Sequence, residues 1–99
     1  MNPTAAKIRI KALYRENMVM HDSLWVLRGQ IAQDDNILRD TDERHIETRR
    51  TAEYRRQEAL AKMDEYNKAR ARNLREIKEI EKNMRNVSHP RYRKVTLDG

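Results

Sequence analysis

Apolar residues recur along the first third of the chain at alternating intervals of three and four: Ile10, Leu13, Met20, Leu24, Leu27, Ile31 and Leu38. Asn17 and Asp34 fill the two remaining positions of the same series. This spacing predicts a helix that offers one narrow seam to another helix, as in coiled coils, and not the broad apolar face of a globular-core helix. Pro3 just after Asn2 marks its start, so the first element is read as a seam helix over 1–38. Asn17 has two readings. A buried seam amide fixes register at some cost in stability, whereas an exposed one would only border a frayed contact.

The pattern then changes twice. From Glu43 to Glu58 only Ile46, Ala52 and Tyr54 are apolar and charges of both signs alternate, which predicts a stretch that is solvated or lies on a polar partner. A stripe returns at Leu60, Met63, Tyr66, Ala69, Leu74, Ile77, Ile80, Met84 and Val87, again at the spacing of helix-on-helix contact. Together these give a long charged helix over 44–88, ended by Pro90. Its Glu58–Lys62, Asp64–Lys68 and Glu81–Arg85 pairs have the favourable i,i+4 order and contribute about 0.3 kcal/mol each.

Between the two stripes, "QDDNILRDTDE" at 33–43 is the one segment that suits a turn. The hinge is placed at 39–43, with Asp40 and Glu43 at capping-box spacing. No glycine or proline interrupts residues 30–89, so two architectures stay open. The fold class is all-α: an elongated helical hairpin or a single long coiled-coil-like helix, with an extended basic tail over 89–99.

Composition narrows the function. Of 99 residues 37% are hydrophobic and 38% charged, with one Trp and no Phe, too little apolar area for a conventional core. Such a chain is expected to bury its stripe against a partner, or to be partly disordered alone. It has no cysteine, which removes disulfides, thiolate metal sites and a thiol nucleophile and suits a reducing compartment. No apolar run approaches the roughly 20 residues that cross a bilayer.

The formal charge is +6, and it is uneven. Residues 1–40 carry six Lys/Arg against five Asp/Glu, and 41–99 sixteen against eleven. Lys82 to Leu97 holds five cations and no acid. Within it Arg91, Tyr92, Arg93 and Lys94 join cations to one stackable ring, which suits phosphates of a nucleic acid, an acidic protein surface or anionic headgroups. Arg44, Arg49, Arg50, Arg55 and Arg56 superficially look like a basic region ahead of a zipper, but Glu47, Glu53 and Glu58 interrupt them.

Catalysis is not expected. His21, His45 and His89 lie in three separate segments without a second ligand at i,i+4 spacing, and Ser23 and Ser88 have no His/Asp partner nearby. There is no glycine-rich phosphate loop, and Asn86-Val87-Ser88 is a sequon without a secretory context. No cofactor and no metal is implied.

Leu13-Tyr14-Arg15, on a helix whose first 15 residues are free of acid, resembles the LYR-motif family of small mitochondrial helical proteins. The family places a phenylalanine nine residues after the arginine; here Leu24 stands there with Trp25 beside it. The lead-in "AKIRIKALYRE" also looks like that of the family's respiratory complex I accessory subunits. The resemblance covers residues 6–25. It implies a mitochondrial accessory subunit or assembly factor, in a family of three-helix proteins of which many bind acyl carrier protein. The charged second helix is too polar to close around an acyl chain.

These strands predict a non-enzymatic accessory or structural subunit of a larger, multiprotein assembly. Ile10, Leu13, Tyr14, Arg15, Leu24, Trp25, Leu27 and Ile31 are expected to make its main partner contact. Leu74, Ile77, Ile80 and Met84 are expected to make a second, and the tail to pin the chain to an acidic surface. The alternatives are a basic coiled coil that binds RNA or DNA phosphates and an acyl-carrier-binding assembly factor.

Overall fold

A computed structural model describes residues 2–88, with side chains through Arg85. The 89–99 tail, with Arg91, Tyr92, Arg93 and Lys94, lies outside the described residues. Two helices make up the rest: α1, Pro3–Asp40, and α2, Ile46–Ser88, with no strand among the described residues. The Asn2 side chain accepts from the Ala5 N–H at 2.7 Å, satisfying one of the orphan donors of the first turn. Pro3 follows at a position whose own missing N–H costs nothing.

The helices run antiparallel. Arg9 bonds Glu76, Asn17 bonds Asn73, Asp35 bonds Arg56 and the Leu38 carbonyl bonds Arg49, so the α2 number falls as the α1 number rises. Of the two architectures the sequence left open, the hairpin is the one adopted. At 1.5 Å per residue α2 is about 65 Å long, so the molecule is a rod two helices thick.

The turn sits slightly later than expected, at 41–45 instead of 39–43. The Thr41 N–H reaches the Ile37 carbonyl at 2.9 Å, which carries helical bonding through Asp40. Asp42 then shapes the turn: its carbonyl accepts from the His45 N–H at 3.0 Å, and its side chain accepts from the Arg44 N–H at 3.3 Å. The Asp40–Glu43 capping box therefore does not form. Arg49 closes α1 from outside, donating to the carbonyls of Leu38 at 2.6 Å and Thr41 at 2.9 Å. A cation at these orphan acceptors also opposes the helix dipole, and no left-handed residue is used among the described residues.

On α1 the seam is as the spacing predicts, extended by Ala6: Leu13, Asn17, Leu24, Leu27 and Asp34 are buried, with Ile10, Met20, Ile31 and Leu38 at intermediate exposure. The α2 seam keeps Met63, Tyr66, Ile77, Ile80 and Met84 of the expected stripe and departs from it elsewhere. It runs Arg49, Ala52, Arg56, Ala59, Met63, Tyr66, Arg70, Asn73, Ile77, Ile80 and Met84, an uninterrupted alternation of three and four. Leu60 and Leu74 are instead 42% and 44% exposed.

The 43–58 half is mostly exposed, with one face laid on a polar partner. Ala52 and Ala59 are buried, Arg56 bonds Asp35 at 2.6 Å and Arg55 bonds Asp34 at 3.0 Å. The polar partner of this stretch is the chain's own acidic α1 end. Hydropathy hides it because small alanines and long arginines carry the contact.

Candidate interaction surface

The hairpin changes which side chains are left for anything else. Ile10, Leu13, Leu24, Leu27, Ile31, Ile77, Ile80 and Met84, read from the sequence as partner contacts, are buried or half-buried where α1 meets α2. That placement corrects the expectation that both seams face other proteins: each is the other's partner. Tyr14, Arg15, Trp25 and Leu74 from the same set remain exposed.

A second apolar surface lies outside the seam, and only its Tyr14 and Trp25 are expected from the sequence as partner contacts. Ile8, Tyr14, Met18, Val19, Trp25 and Val26 of α1 are 48–71% exposed. Around the wheel these residues form two flanks. Tyr14, Met18, His21 and Trp25 follow the same four-three-four spacing as the buried seam, and Ile8, Arg15, Val19 and Val26 run along the other side. The signal was present in "NMVMHDSLWVL" at 17–27, where only Asn17, His21, Asp22 and Ser23 are polar. A stretch apolar nearly all round belongs inside a bundle, yet α2 covers one side of it.

Each flank carries a groove. One of about 300 Å³ is lined by Tyr14, Asn17, Met18, His21, Asp22, Arg70 and Leu74. The other, about 560 Å³, is lined by Arg15, Glu16, Val19, Met20, Ala69, Arg72 and Asn73. Between them lies the polar layer of the seam, where the Asn73 amide donates to Asn17 Oδ1 at 2.9 Å and to Glu16 at 3.1 Å. Asn17 is thus the buried, register-fixing amide of the two sequence readings, with a partner the sequence stripe did not include.

Polar groups tune the first flank. The Trp25 indole N–H donates to His21 Nε2 at 3.2 Å, and the Arg28 guanidinium lies 5.8 Å from the Trp25 ring centroid, together holding the indole against the helix surface. The Arg70 Nε–H is buried without an acceptor, and Asp34 Oδ2, toward the turn end of the seam, is buried without a donor. At the open end of the hairpin, Arg9 grips Glu76 at 2.7 and 3.2 Å. This bond holds the Glu76 carboxyl below its ordinary range and the Arg9 guanidinium above its own.

Among the described residues no three His, Asp or Glu side chains come together as metal ligands, and His21 and His45 are both exposed on separate elements. No described helix is long and apolar enough to cross a membrane. In the Leu-Tyr-Arg tripeptide, Leu13 is a seam residue with no exposure, while Tyr14 and Arg15 line opposite grooves. Leu24, at the position of the family phenylalanine, is buried in the same seam. No protein-family model, curated protein or solved structure matches this chain.

Proposed function

We propose that the protein is a non-enzymatic helical accessory or structural subunit whose α1 is the inner helix of a larger helical assembly. The observation that carries this reading is the apolar surface that Met18, Val19, Trp25 and Val26 expose outside the seam, set against a hairpin that covers one side of α1. Exposed Trp, Tyr, Met and Val side chains on a rigid helix are the residue types from which interface anchors are made, and grooves beside them accept further helices. The docking surface is the outer face of α1, in place of the seams. Assembly in a mitochondrial respiratory complex is the version of this role that the Leu-Tyr-Arg resemblance supports. Binding of acyl carrier protein rests on that resemblance alone.

The experiment is purification of the tagged protein from its source cells after nuclease treatment, beside a Val19→Glu, Val26→Glu variant whose helicity is checked by circular dichroism. Stoichiometric partners that survive nuclease and vanish with the folded variant are expected. Partners lost to nuclease in both proteins would put the basic-tail, nucleic-acid reading in its place.

A further inference from the structure

The flank built from Tyr14, Met18, His21 and Trp25 continues across its groove onto α2. Leu60, Asp64, Asn67, Ala71 and Leu74 alternate by four and three, so they form one strip, and Leu74 lines the groove with Tyr14 and Met18. Tyr14, Met18, Trp25, Leu60 and Leu74 are all between 42% and 68% exposed. Their arrangement along the rod is palindromic. On α2, Leu60 and Leu74 stand equally far from Asn67, and Asp64 stands as far on one side as Arg70 on the other. On α1, Met18 and Trp25 flank the His21–Asp22 step, with Tyr14 and Arg28 beyond them.

The two centres coincide. Interpolating between the Asn17–Asn73 and Asp34–Arg55 pairs places residues 21–22 of α1 level with about residue 68 of α2, within a residue of Asn67. A two-fold interface needs a self-complementary patch of this kind, in which residue i meets j and j meets i.

From this geometry we infer that the flank is a homodimer interface: a second copy of the chain packs face to face about a two-fold axis through Asn67 and the His21–Asp22 step, completing a four-helix bundle. The inference rests on the reading of α1 as an inner helix and names what covers one of its sides. The axis sets Leu60 against Leu74 of the second copy and Met18 against Trp25. It also sets Asp64 against Arg70, the half-buried cation whose Nε lacks an acceptor. Asp64 is free to exchange partners, since its bond to Lys68 joins two exposed side chains and is weak. Arg28 meets Tyr14, where a guanidinium on a ring face is favourable.

The area also fits. The five apolar side chains expose roughly 500 Å², what a standard interface of about 800 Å² per partner needs at about two-thirds apolar. Among the described residues the buried apolar ones are three alanines, three leucines and one isoleucine, a thin core for a free-standing domain. The opposite flank, with Val19 and Val26, stays open in such a dimer for other subunits.

Because the chain has no cysteine, the axis can be tested directly on the full-length protein. Sedimentation equilibrium from about 1 to 100 µM is expected to give a dimer with a Kd at or below about 10 µM. Under mild oxidation Asn67→Cys should cross-link with itself, Leu60→Cys should cross-link with Leu74→Cys, and Val26→Cys on the other flank should form no cross-link. Arg70→Glu should weaken the dimer roughly ten-fold and Asp64→Arg in the same chain should restore it, a rescue that a merely structural role of Arg70 does not predict. A chain that is monomeric at about 100 µM overturns the inference. So does a dimer that cross-links through Val26→Cys and not through Asn67→Cys. In either case, partners captured in a Val19- and Val26-dependent way leave the inner-helix reading standing.

Discussion

Asn17 and Asp34 are the two positions where the α1 seam departs from apolar character, and the hairpin answers each with a partner from α2. The Asn17–Asn73 bond can form in one register only, because a slip of one heptad sets Asn73 against Leu24 or Ile10 and Asn17 against Ile80 or Tyr66. Asn17→Leu should destabilise the hairpin by about 1–3 kcal/mol by leaving the Asn73 amide without its bond. Asn17→Leu with Asn73→Leu should recover or exceed the original stability while broadening the set of association states. Chemical denaturation and sedimentation velocity read the two effects separately. Asp34 is a buried charge held by one half-exposed arginine, so Arg55→Met should cost about 2 kcal/mol in the same assay, below the cost of breaking a fully buried pair. Asp34 was legible as a seam position from spacing alone. Its partner was not, because an arginine in an alternating-charge run looks like any solvated residue until the second helix is laid beside it.

At the scale of the elements, propensity and packing agree almost everywhere on α1 and disagree at one residue. Gly29 lies inside α1, is exposed, and has open space where a Cβ would stand. Gly29→Ala should therefore stabilise the protein by about 1 kcal/mol, raising Tm by about 4–8 °C in a thermal melt. The turn works in the opposite sense. It has no glycine C-cap, and the carbonyls at the end of α1 depend on Arg49 reaching back from the second turn of α2. Arg49→Met is expected to cost about 1–2 kcal/mol and to loosen the hairpin, seen as faster amide hydrogen exchange at 37–41. The sequence reading of α2 failed where small and charged residues carry the seam. Ala52 and Ala59 bury little area and Arg49 and Arg56 score as polar, so a search for apolar periodicity slid to Leu60 and Leu74 on the neighbouring strip.

The whole molecule is held at its ends as much as at its middle. Arg9 ties the start of α1 to Glu76, and because that bond depresses the Glu76 pKa, its contribution is present above the carboxylate's ordinary range and is lost as pH falls through the lowered value. Helicity measured by circular dichroism should accordingly fall in acid, and Glu76→Gln should flatten that part of the profile while leaving neutral-pH helicity nearly unchanged. The exposed apolar surface of α1 is concentrated over residues 14–26, away from the turn, which is polar.

By itself the sequence determined that the chain is helical, where α1 begins and which residues of α1 share a face. Those are consequences of local periodicity, capping and composition, which need no knowledge of what lies opposite. Only the tertiary structure decided that α1 and α2 are each other's partners, that arginines and alanines complete the second seam, and that Trp25, Met18 and Leu74 are left exposed. A stripe specifies that a helix must be covered; which helix covers it depends on turn geometry and on long side chains bridging residues up to 67 positions apart, and periodicity within one segment carries no information about either.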